Sequence, residues 1–69
     1  MLHQNWVTVL TVMDEVDANL KKGFLENAGI ECEIRSKTVQ PYPPLSYFDL
    51  TVPEEKFQAA REFLQALDP

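Results

Sequence analysis

Residues 30–37 read Ile-Glu-Cys-Glu-Ile-Arg-Ser-Lys, and residues 47–52 read Tyr-Phe-Asp-Leu-Thr-Val. Both stretches alternate apolar and polar residues, which is the pattern of a strand with one buried face. Ile30, Cys32 and Ile34 form one inward row, and Phe48, Leu50 and Val52 form the other. Between them, 38–46 hold Pro41, Pro43 and Pro44, which cannot donate to a ladder and so interrupt it. The two strands are therefore joined by a loop and pair antiparallel. A sheet with one apolar face must bury that face against another layer. That requirement governs the reading of the rest of the chain.

Two amphipathic helices offer the cover. Asp14 is a good N-cap, with Glu15 and Asp17 in the first turn where the helix dipole favours anions. The helix it opens runs to about Ala28, and Gly29 supplies the stop. Val16, Leu20, Gly23 and Phe24 form its apolar stripe, which Ala18, Leu25 and Ala28 widen to nearly half the circumference. An arc that wide predicts more than one neighbour, and Gly23 reads as a point of close approach within the chain. A second helix is predicted from Pro53 to about Leu67, with Glu54 and Glu55 in its first turn. Phe57, Ala60, Phe63, Leu64 and Leu67 form its single apolar face.

Residues 6–12, Trp-Val-Thr-Val-Leu-Thr-Val, are almost all β-branched, aromatic or aliphatic and read as a further strand. Both of its rows, Trp6/Thr8/Leu10/Val12 and Val7/Val9/Thr11, carry apolar residues, as in a strand covered on both sides. The order is β-α-β-β-α. The fold class is α+β: a two-layer sandwich of a three-stranded antiparallel sheet with two helices on one face. This is a truncated ferredoxin-like arrangement, the split β-α-β pattern without its last strand. The third strand is placed in the centre, between the first and second. The first strand is then an apolar edge carrying Trp6, and unpaired edges invite another chain.

With 69 residues the chain allows one domain, 1–69, with an ordered core from about 6 to 67. Its core is marginal, because a chain this short buries only about 60% of its unfolded surface. A large enclosed active site would remove side chains that core needs. Six basic against eleven acidic residues leave a net charge of −5, which argues against nucleic acid as a partner. Lys21, Lys22, Arg35 and Lys37 read as dispersed solubilising charge. One cysteine permits no internal disulfide and favours a reducing compartment. No run approaches the length of a membrane span. The first residues, Met1 to Asn5, carry no Lys or Arg and do not read as a secretory signal. A cytoplasmic location and no membrane partner are the expectation.

Ala18-x-Leu20-x-Lys22-Gly23-x-Leu25 followed by Ala28-Gly29-Ile30 resembles the first helix and second strand of a family of small bacterial domains. Val52-Pro53-Glu54-Glu55, with Ala60-Arg61-Glu62-Phe63-Leu64 after it, resembles that family's second helix. The family is that of the putative prokaryotic signal-transducing proteins, and the resemblance runs from about Val7 to Leu67. It implies a ferredoxin-like sheet similar to those of small sensor proteins, and it brings no catalytic residues. The loop between strands two and three is often glycine-rich in such relatives. Here it is Thr38-Val39-Gln40-Pro41-Tyr42-Pro43-Pro44-Leu45, so no ligand role is carried over to it.

No reactive constellation stands out. His3 and Cys32 are the chain's only histidine and cysteine, too few for a structural zinc set. Cys32 lies in an inward row and reads as a buried thiol without a base. Glu31, Glu33 and Asp49 read as solvated charge with Arg35 as a partner. Gly23 and Gly29 do not precede a helix, so no phosphate loop is present. The expectation is therefore no enzyme, no cofactor and no metal. The proline loop has two readings: a stiff connection whose Tyr42 and Leu45 cap the core, or a preordered recognition tip. The candidate contact residues are Trp6, Thr8 and Leu10 on the first strand, and Pro41, Tyr42, Pro44 and Tyr47 at the loop. The functional expectation is a small non-catalytic interaction or signalling module that associates with a protein partner or with itself as a homodimer. The alternative is a regulatory sensor domain holding a small molecule at a subunit interface.

Overall fold

A computed structural model describes residues 5–40 and 42–67. The elements are β1 (Trp6–Val12), α1 (Glu15–Asn27), β2 (Glu33–Val39), β3 (Leu45–Pro53), a 3-10 turn (Glu54–Lys56) and α2 (Phe57–Leu67). The strands form one antiparallel sheet in the order β1-β3-β2. Ala18 and Leu25 of α1 and Ala60 and Leu64 of α2 join Leu50 and Val52 of β3 in a single core cluster. Both helices therefore cover the same face. The β-α-β-β-α order, the two layers and the central third strand agree with the sequence reading. The result is a flat body of 38 × 38 × 15 Å.

α1 forms where its caps dictate. The Asp14 carboxylate accepts a hydrogen bond from the Val16 N–H at 3.2 Å. At the other end, Gly29 takes φ +85°, a left-handed conformation that favours glycine. The Gly29 N–H donates to the Glu26 carbonyl at 3.0 Å and the Ile30 N–H to the Leu25 carbonyl at 2.9 Å. This is the Schellman arrangement, closed by apolar contact between its flanking residues, here Leu25 and Ile30, both buried.

β1 explains its own mixed pattern. Thr8 stands opposite Thr51 and Leu10 opposite Leu50, so Val9 is an extra residue, a bulge. Side-chain parity reverses there. Val7, Val9, Leu10 and Val12 all pack against the core, while Trp6, Thr8 and Thr11 stand on the other face. Both rows are apolar because the strand changes phase, and not because it is covered on both sides. Leu10, grouped in the sequence reading with Trp6 and Thr8 as a contact residue, is turned to the core by the same bulge.

The β2–β3 ladder differs from its sequence outline at both ends. It begins at Glu33 opposite Thr51, because the chain at Ile30 is still engaged in the α1 cap; Ile30 and Cys32 are buried all the same. It continues through Thr38–Ser46 to Val39–Leu45, which confines the proline connection to 40–44. The second helix starts with a 3-10 turn, and Pro53 is the last residue of β3.

The stripe proposed for α1 is also displaced. Ala18 and Leu25 face the core, but Val16, Leu20 and Phe24 are 75%, 59% and 38% exposed. An apolar arc near half the helix circumference is more than a three-stranded sheet and one neighbouring helix can cover. The buried part carries Ala18 and Leu25, which join Ala60 and Leu64 of α2 in the core cluster. Gly23 makes no close approach, since a Cβ added there would meet nothing within 4 Å.

Cys32 belongs to the core cluster and is 4% exposed. Burial pushes its thiol above the ordinary value of 9.0; Lys22 opposes the shift, and Glu26 and Glu33 add to it. A thiol whose folded pKa is raised stabilises the fold fully below its unfolded value and loses that contribution as pH rises toward the folded one. Cys32→Val is thus expected to flatten the fall in melting temperature above pH 9.0, relative to the native chain in the same pH series. Leu50→Ala, at a fully buried site, should lower the unfolding free energy by about 2–5 kcal/mol in urea titrations. Val16→Ala should change it by no more than about 0.5 kcal/mol; a larger loss would mean that α1 buries a different side.

Candidate interaction surface

Among the described residues, no element covers the face of the sheet opposite the helices. It is built from the outward rows of the three strands. At one end Trp6 stands opposite Pro53. At the other, Lys37 stands opposite Tyr47 and Val39 opposite Leu45. From Tyr47 to Pro53 β3 rises about 20 Å, so the aromatic ends are well apart. The middle is polar and internally paired. Asp49 accepts a 2.7 Å hydrogen bond from the Thr11 hydroxyl and takes the Lys37 ammonium at 3.7 Å. Thr51, although buried, donates its hydroxyl to the Glu33 carbonyl at 3.1 Å. Arg35 stands across from Asp49, but Lys37 is the residue that pairs with it.

The far end of the β2–β3 hairpin projects beyond the helical layer. Every described residue from 36 to 46 is exposed. Tyr42 is 88% exposed, and Val39 and Leu45 are each 46% exposed. Tyr42 and Leu45 therefore do not cap the core, and of the two readings of the loop the cap is the one that fails. Pro44 is exposed beside them. Pro41 and His3 lie outside the described residues.

The contact residues named from the sequence thus separate into three places. Trp6, Thr8 and Tyr47 share the open sheet face. Tyr42 and Pro44 sit on the hairpin tip at one end of it. Leu10 lies on the covered side. Val39 and Leu45 were not among the contact residues named from the sequence, where Leu45 was read only as a core cap, because three prolines suggested that the ladder stopped before them. Extending the β2 alternation from Arg35 and Lys37 one step further would have placed Val39 on the outward row.

At the opposite end of the sheet an open cleft of about 530 Å³ is lined by Trp6, Ile30, Cys32 and the end of α1, with Glu26, Glu31 and Glu33 around it. The Cys32 thiol is held protonated by burial and contacts the Glu33 carbonyl at 3.9 Å. Among the described residues no three His, Cys, Asp or Glu side chains are grouped to hold a metal ion. Lys21 and Lys22 reach Asp17 and Glu26 along their own helix at 2.6 and 3.5 Å, away from Arg35 and Lys37 on the sheet. Among the described residues, no helix is long and apolar enough to cross a membrane.

Comparisons with curated proteins and with solved structures give no match. One family model does match, over residues 6–68, a span that takes in every strand and helix of the fold. On that match, the chain belongs to the family described as "Putative prokaryotic signal transducing protein".

Proposed function

We propose that this protein is a non-catalytic signalling module that acts by associating with another protein chain in the cytoplasm, first of all with a second copy of itself. The observation that carries this reading is the uncovered sheet face, with Trp6 at one end and Tyr47, Val39 and Leu45 at the other. A two-layer fold of this length gains burial by covering that face. Its charges favour a like partner. Glu33 and Asp49 are balanced on the face by Arg35 and Lys37, so the net −5 resides elsewhere in the chain. The Val9 bulge breaks the regularity of the β1 edge, a common protection against strand addition. Face-to-face packing, aided by the hairpin tip, is therefore the favoured mode over a continuous intermolecular ladder.

The cleft beside Trp6 supports a second reading, a sensor that holds a small molecule near the subunit boundary. A saturable rise in melting temperature with one class of metabolite would favour it. For the first reading, light scattering after size exclusion should give twice the chain mass at high micromolar concentration. Thr8→Lys on the open face should restore the monomer mass. Tyr42→Ala should weaken association while changing stability by no more than about 0.5 kcal/mol, since its ring is exposed. A native chain that stays monomeric at that concentration sinks the homodimer.

A further inference from the structure

The outward pole of α1 carries no charge. At about 100° per residue, Val16, Leu20, Gly23 and Asn27 fall within one narrow sector, with Phe24 on its shoulder. A surface helix ordinarily places its charged residues there. Here the lysines lie toward the covered side, part-buried and paired along the helix. Asn19, Leu20, Gly23, Phe24 and Asn27 surround a shallow notch of about 210 Å³. Its floor is Gly23, where an added Cβ would meet nothing within 4 Å. After proline, glycine is the least favourable residue inside a helix. No described residue uses the space its missing side chain leaves.

The rim decides what fits. Glu15 and Asp17 flank the first turn and Glu26 the last. Asp17 and Glu26 each give one oxygen to a lysine on the same helix. A second copy laid antiparallel on this face would bring Glu26 toward Glu15 of the other chain, so like charges oppose self-pairing. A partner with basic flanks meets the opposite situation. We propose that this face docks an amphipathic helix of another protein, with one apolar side chain seated over Gly23 and Lys or Arg residues along its flanks. Its apolar anchors, spaced i, i+3/i+4, i+7, would follow Val16, Leu20 and Phe24. The face lies on the opposite side of the molecule from the open sheet, so the two surfaces are independent of each other.

The test uses a fluorescein-labelled Leu/Lys peptide of about 15–20 residues, long enough to hold a helix, with leucines at that spacing. A scrambled peptide of the same composition is the control. The native chain should bind the patterned peptide saturably and roughly tenfold more tightly than the control, a difference of about 1.4 kcal/mol. Gly23→Ala should raise the melting temperature of the chain by about 4–8 °C and weaken peptide binding roughly tenfold, because a methyl fills the notch. Leu20→Ser should weaken binding similarly, and Thr8→Lys on the sheet face should leave it unchanged. Equal affinity for the scrambled peptide would overturn the proposal, leaving charge attraction alone. So would a melting temperature lowered by Gly23→Ala, or binding that neither helix variant changes. Sedimentation velocity showing a native dimer lost in Leu20→Ser would assign the face to a second copy instead.

Discussion

Leu50 and Val52 on the central strand have no solvent exposure, and every other element is arranged around keeping them dry. β1 and β2 flank them within the sheet, and Leu25, Ala18, Ala60 and Leu64 close over them from the helices. Only one sheet face and one side of each helix can take part. A chain of this length thus builds a core one side chain deep, and the surfaces it leaves bare follow from the same geometry. The outer sheet face is bare because the described residues build no third layer. The outward pole of α1 is bare because the helix has more apolar arc than the sheet can receive.

The distribution of charge separates these two bare surfaces. On the sheet, acidic and basic side chains are interspersed, with Asp49 held between Thr11 and Lys37. On α1 the uncharged pole is bordered by carboxylates. A neutral mosaic suits a self-complementary contact, and an acid-rimmed apolar strip suits a basic partner. The two contacts proposed above would let one module couple its own assembly to engagement of a second protein.

Much of the fold was legible because its signals are local. Asp14 and Gly29 mark the ends of α1 by backbone chemistry that needs no tertiary context. Alternation at 47–52 reports a half-buried strand directly, and Ala60, Phe63, Leu64 and Leu67 of the stripe read for α2 do pack on the core. The site was less legible. The two-row pattern of β1 is the trace of a bulge, and a bulge is visible only when register with a partner strand is known. The prolines concealed that the ladder persists to Val39–Leu45, since the strands remain paired right up to the connection.

The sequence by itself determined the element order, the caps, the antiparallel hairpin and the two-layer class, because each depends on neighbours within a few residues. Tertiary structure alone decided which side of β1 and which side of α1 are buried. Both segments are apolar on more than one side, so their own residues are nearly indifferent to the choice. The choice was made by what they pack against: β3 shifting the register at Val9, and the shared core taking Ala18 and Leu25 while Val16, Leu20 and Phe24 are turned outward.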